Sequence, residues 1–187
     1  PEFKNKNDKY LEKLTIHQLL CMTAGKQTAI RGSKSDDWLK VFIKAKWIFE
    51  PGTSWRYVND NYYIASKMLC KVLGESISDY LTPRLFEPLG IDVPFWEHSP
   101  DGVEAGGWGL MLKTEDIAKL VLCYQNKGKY NGIQVIPEWW TREATSFISD
   151  NSVSEKEPDA SAGYGCGFWR CGGMENTYRC EGMFCQY

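Results

Sequence analysis

The sequence predicts an α+β fold, in which a mostly helical region over residues 14–150 leads into antiparallel strands of a sheet over residues 161–187. Three observations predict it. Capped stretches with apolar residues at helical spacing recur through the first two-thirds of the chain. The last quarter changes character, with "YGCGFWRC" and "TYRCEGMFCQY" flanking the turn-forming "GGMEN" as the two strands of a hairpin. Helices first and strands last is the order of a helical lobe attached to a sheet, and here the sheet is only partly present.

The elements follow in order. "PEF" at the start resembles a cloning remnant, and the polar "KNKNDKY" after it reads as a linker, so residues 1–13 are set apart from the fold. In "LTIHQLLCMTAG" Thr15 is an N-cap, Gln18 completes a capping box and Gly25 ends the helix. Its apolar face is Ile16, Leu19, Leu20 and Met22. "SDDWLKVFIKA" repeats the pattern with Ser35 as cap, acids in the first turn and Trp38, Leu39 and Phe42 facing inward. Asp60 caps a helix that runs to Leu73, with a stripe of Ile64, Ala65, Met68, Leu69 and Val72 and a left-handed stop at Gly74. "SISDYLTPRLFEPLGI" holds a short helix and a Pro-Leu-Gly turn, and residues 93–107 form an irregular Pro- and Gly-rich loop. "LKTEDIAKLVLCYQNKG" is a helix with acids at its start and Lys127-Gly128 at its end. "IPEWWTREATSF" starts another with Pro137 in the first turn, and residues 151–160 are a polar loop.

Composition narrows the function classes. Of 187 residues 43% are hydrophobic and 14% aromatic, with eight Trp, enough for a packed core. Lys plus Arg number 22 against 24 for Asp plus Glu, a net charge of −2 with no basic stripe, which argues against a nucleic-acid partner. No apolar run reaches the length of a membrane span, and no cofactor-binding motif stands out. The seven Cys are odd in number, and the first three are scattered over helical stripes. That favours buried free thiols and a reducing, cytoplasmic compartment; removal of a signal peptide would fit a periplasmic or secreted protein instead. The last four, C-x4-C-x8-C-x4-C, lack the C-x2-C pairs and the neighbouring His of a zinc site, and read as strand thiols with at most one disulfide. The chain ends on a strand-like segment without a terminating turn, so both ends look cut, and an unpaired sheet edge would favour self-association.

The stretch "FEPGTSWRYVNDNYY" carries the chemistry. Residues two apart on an extended segment point the same way, so Tyr57 and Asn59 can enter one cleft while Val58 turns into the core. Both precede a helix N-terminus, where an anionic neighbour is favoured. A phenol has a pKa of about 10 and becomes a general base only beside a cation. Arg56 points the opposite way, so that cation must come from elsewhere. Asn59 offers a donor and an acceptor to an ester or amide. The same two residues also fit a half-buried packing Tyr and a helix cap.

Together "LTIHQLLCMTAG", "FEPGTSWRYVNDNYYIASKMLCKVLGESISDYL", "LFEPLGI", "GGWGLMLKTEDIAKL" and "YGCGFW" resemble, in order over residues 14–187, the serine β-lactamase-related family. That family includes class C β-lactamases, DD-peptidases, carboxylesterases and nylon-oligomer hydrolases. The resemblance implies a β-lactamase/transpeptidase-like fold and acyl transfer through a Ser nucleophile in an S-x-x-K motif, whose Lys lies beside the Tyr of Tyr-x-Asn. It gives Tyr57 the base role and Asn59 the substrate-orienting one. The third motif, on a strand edging the cleft, maps to "EGMFCQY", with Gly182, Phe184 and Gln186 as substrate-binding positions. Cys185 stands where a Gly is usual. No Ser of this sequence has a Lys three residues on, and there is no G-x-S-x-G. The expected parent is therefore a serine acyl hydrolase acting on a small-molecule ester, amide or β-lactam, with this chain inactive alone. The competing reading is a non-catalytic binding or sensor module on the same fold.

The remaining candidates fit structural roles. His17 reads as a surface or packing residue, and His98 lies in a variable loop. Trp108, Trp139 and Trp140 read as core, and Glu115 and Asp116 as helix-start charges.

Overall fold

The structure is a computed structural model that describes residues 8–27, 29–31 and 33–182. The helices come first. They are α1 (Lys9–Lys13), α2 (Ile16–Leu20), α3 (Trp38–Lys44) and α4 (Asp60–Leu73). A nearly unbroken helical stretch follows, formed by α5 (Ile77–Leu81), a π-helical turn (Thr82–Phe86) and α6 (Glu87–Leu89). Beyond a loop stand α7 (Thr114–Gln125), a small hairpin of β1 (Lys129–Tyr130) and β2 (Ile133–Gln134), and α8 (Glu138–Ala144). The last elements are β3 (Trp169–Arg170) and β4 (Tyr178–Arg179), paired antiparallel with Trp169 opposite Arg179.

Several elements form where their residues predict. Thr15 and Gln18 make the full capping box of α2, and Gly74 closes α4 in the left-handed conformation with φ 76°. Others correct the sequence reading. The stretch expected as linker contributes α1, because Asp8 caps it through the amides of Tyr10 and Leu11 and accepts the indole N–H of Trp47. Helix α2 stops at Leu20 rather than Gly25: Met22, buried, turns the chain with φ 61°. Its sulfur accepts the amide N–H of Val58 at 3.3 Å, a tertiary contact that holds a conformation Met seldom adopts alone. In α3 the cap is Asp37, whose carboxylate takes the Lys40 amide, while Ser35 accepts from Asp37 itself.

Asp60 does not cap α4. It occupies the first helical position, and its Oδ2 reaches back to the amides of Ala29 and Ile30 at 2.7 and 2.9 Å. Leu69 and Val72, assigned to the buried stripe, are exposed. Trp139 is exposed and not core. The β1–β2 hairpin was not anticipated, although Asn131-Gly132 between its strands, both with positive φ, is the usual signal of a tight hairpin turn. Cys166, Cys171 and Cys180 are free thiols, so the disulfide envisaged in that segment is absent among the described residues.

Packing gathers these pieces around α4. Leu19 of α2, Phe42 of α3 and Tyr63 and Ile64 of α4 form one core cluster, with Trp38 and Trp108 against it. Burying an aromatic or aliphatic side chain of this kind contributes about 1.5–3 kcal/mol each. A second cluster joins Met22, Trp55, Tyr164 and Trp169, and it ties the terminal hairpin to the segment before α4. That junction supports the candidate site.

Candidate functional site

A cavity of about 770 Å³ opens above this aromatic cluster. Tyr57, Asn59 and Gly182, three of the positions singled out in the sequence, all line it. Phe184 and Gln186 lie outside the described residues. Val58 between the first two is buried, as alternation requires. Asn59 itself is already helical, with φ −59° and ψ −29°. The pair therefore faces one cavity because the chain turns into α4 there, and not because an extended segment continues through it.

Tyr57 is held by rings. Its ring stacks on Trp169 at 5.7 Å with an interplanar angle of 27°, and meets Tyr164 edge-on at 6.4 Å. Trp169 is set by the β3–β4 register, so the hairpin fixes where the phenol points. Burial raises the Tyr57 pKa above its ordinary value, and Cys180 and Glu181 add to that. Within this chain Tyr57 is thus a neutral hydroxyl, a donor rather than a base.

Arg31 also lines the cavity and is the one cation among its described lining residues; Arg56 is exposed. The loop carrying Arg31 is tethered by the two hydrogen bonds that the Ala29 and Ile30 amides donate to Asp60, one residue beyond Asn59. Glu155 and Glu181 bring negative charge to the same space. On the other side residues 106–109 press on the start of α4. A Cβ on Gly106, where φ is 70°, would lie 2.6 Å from the Tyr62 carbonyl oxygen, and one on Gly107 would lie 2.7 Å from that of Asn59. Trp108 in the same run is doubly fixed: its indole donates to Glu97 at 3.0 Å and its carbonyl accepts from Trp96. It was expected as core; it packs against the first core cluster and lines the cavity too.

Four buried side-chain polar atoms find no partner among the described residues, and all fall within seven positions: Trp55 Nε1, Asn59 Oδ1, Asp60 Oδ1 and Asn61 Oδ1. Buried polar atoms without partners are costly, and of these four residues Asn59 is the one that lines the cavity.

Sequence reasoning did not find Arg31, Trp96 or Glu155, which come from loops with no local signature. The glycine run "GGWG" was the legible signal for the 106–109 wall.

Burial also raises the pKa values of Tyr62 and Tyr164, and brings Tyr63 and Tyr124 up to about 12. Unfolded tyrosines lose their protons near pH 10, before these folded ones do. The unfolded state then binds fewer protons, and stability falls with rising pH. The stabilisation is complete below about pH 10 and is lost progressively through about pH 12. The urea midpoint is expected to drop clearly between about pH 8 and about pH 11; an unchanged midpoint would contradict the buried phenols.

Comparison with known proteins adds the following. The family model described as Beta-lactamase matches residues 6–187. No curated protein matches the sequence at a significant level. Among solved structures, the "Putative 6-aminohexanoate-dimer hydrolase from Bacillus anthracis" superposes with a TM-score of 0.71 at 19% identity, covering 90% of this chain and 49% of its own. The penicillin binding protein from Bacillus halodurans gives 0.62 at 19% identity over 86% and 58%. The D-amino acid amidase from Ochrobactrum anthropi SV3, complexed with D-phenylalanine, gives 0.61 at 15% over 86% and 56%. The chain thus spans about half the length of these structures.

Proposed function

The chain belongs to the Beta-lactamase family and has the β-lactamase/transpeptidase-like fold, and from this premise we propose that it is the cleft-bearing part of a serine acyl hydrolase. The substrate is an ester, a small amide or a β-lactam. The observation that carries this reading is the cavity that Tyr57 and Asn59 share with Gly182 and the 106–109 wall.

The chemistry is acyl transfer. A serine hydroxyl, which together with its lysine belongs to an S-x-x-K motif absent from this sequence, gives up its proton as its oxygen attacks the substrate carbonyl. The leaving alcohol or amine is protonated, and water later releases the acid from the acyl-enzyme. Tyr57 accepts the serine proton as a phenolate, a form that burial disfavours and that the neighbouring ammonium stabilises. Asn59 orients the substrate carbonyl or amide. Gly182 lines the same cavity, and by the family resemblance Phe184 and Gln186, after it in sequence, are further substrate-binding positions. Without the serine, this chain alone turns over neither nitrocefin nor p-nitrophenyl esters above background; clear turnover in either assay would sink the proposal that it lacks its nucleophile.

A second reading is favoured by one observation, the neutral Tyr57 with acidic groups beside it. A protein that keeps the fold without the chemistry would use Tyr57 and Asn59 as hydrogen-bond partners for a bound amide or ester. The two readings part at the full-length protein: covalent labelling of a serine by a β-lactam or an activated ester supports the enzyme, and reversible binding without labelling supports the module.

A further inference from the structure

The fold brings together three groups that are distant in sequence and that the acyl-transfer chemistry leaves unused. His17 and Cys21 sit one helical turn apart on α2 and its C-cap, and Cys166 comes to them from just before β3. The Cys21 sulfur lies 3.6 Å from His17 Nε2 and 2.8 Å from the Cys166 sulfur. One donor atom from each of the three residues falls within 4.8 Å of the others. Glu143 of α8 lies beside the imidazole, with its Oε1 3.7 Å from His17 Nε2.

We propose that His17, Cys21, Cys166 and Glu143 form a binding site for a borderline-soft divalent cation of the zinc type. The donor set decides the class. Two sulfurs, an imidazole nitrogen and a carboxylate oxygen suit Zn²⁺ and reject the hard ions Mg²⁺ and Ca²⁺. The spacing suits it too. With metal–ligand lengths of about 2.0–2.3 Å, a tetrahedral ion sets nitrogen and sulfur about 3.6 Å apart and nitrogen and oxygen about 3.4 Å apart. Those values are close to the 3.6 and 3.7 Å found here. The sulfurs must separate, to about 3.8 Å, from the 2.8 Å they show, and the half-exposed Glu143 carboxylate must swing toward them.

The supporting structure is in place. The Cys21 carbonyl accepts the Ser149 hydroxyl at 3.0 Å, and the Cys166 amide donates to the Ala144 carbonyl at the end of α8. Both sulfurs are buried, while the imidazole and the carboxylate are about half exposed, which leaves an entry side. The other described cysteines of the terminal segment are engaged elsewhere: Cys171 accepts from Arg179, and Cys180 faces the Gly167 carbonyl. A metal here would tie α2, α8 and the terminal segment together, at a place separate from the cavity that holds Tyr57.

The test titrates the reduced, metal-free chain with Co²⁺ as a spectroscopic probe, then displaces it with Zn²⁺ against a chromophoric chelator. One ion per chain is expected, with a thiolate-to-cobalt charge-transfer band. Cys21→Ser and Cys166→Ser should abolish that band, while Cys171→Ser and Cys180→Ser leave it intact. His17→Ala, at an exposed position that does not endanger folding, should weaken Zn²⁺ binding at least about 100-fold. Zinc should also raise the melting temperature of the wild-type chain and not that of His17→Ala. Absence of the band, undiminished affinity in His17→Ala, or a band that follows Cys171 or Cys180 would each overturn the site. So would a Cys21–Cys166 disulfide, seen by mass spectrometry, in a protein that binds no metal after reduction.

Discussion

In the full-length protein, Tyr57→Phe is expected to lower kcat/KM for an ester or β-lactam substrate by about 10²- to 10⁴-fold, the usual weight of a general base. That corresponds to about 3–5 kcal/mol of barrier. The substitution is clean because the ring does the packing. Its stacking on Trp169 and its edge contact with Tyr164 survive the loss of the hydroxyl, so the fold and the hairpin register are retained. The loss should fall on acylation, read as the rate of covalent labelling, with little change in KM. A labelling rate equal to wild type would remove Tyr57 from the proton transfer and favour the binding module.

Asp60→Ala is expected to cost about 3–5 kcal/mol of stability. Truncation leaves the amides of Ala29 and Ile30 without their carboxylate, at about 1–3 kcal/mol for each stranded donor. It also removes a negative charge from the first turn of α4. A loss of that size is a large part of the 5–15 kcal/mol that holds a typical domain. Asp60→Asn keeps an acceptor oxygen and should lose roughly half as much. Urea unfolding measures both, as midpoint shifts at constant m-value. A shift within about 0.5 kcal/mol for Asp60→Ala would show that the 29–31 loop does not depend on this carboxylate.

Much of the fold was legible locally, and the misses share a cause. The capping box at Thr15 and the glycine stop at Gly74 depend on residues within a few positions of each other, and they occur where they were read. Asp60 and Met22 were misassigned because tertiary partners outcompeted local ones: two loop amides drew the carboxylate away from capping, and Met22 took up the turn expected from Gly25. The β1–β2 hairpin had a local signal in Asn131-Gly132 that its two-residue strands made easy to pass over. For the cavity, Tyr57 and Asn59 were visible as a spaced pair next to a helix, whereas Arg31 and Glu155 reach it from loops whose destination no spacing rule encodes.

The sequence by itself determined the α+β order, most of the helices and the family, because caps, stripes and short motifs are set by neighbours along the chain. Only the tertiary structure decided what surrounds the phenol: the ring of Trp169 beneath it, Arg31 in its cavity and Glu181 beside it. Only folding, too, brought the sulfur of Cys166 against that of Cys21, across 145 positions of chain. Burial and long-range proximity set the charge state of a side chain and the company it keeps, and neither is written in any single stretch of residues.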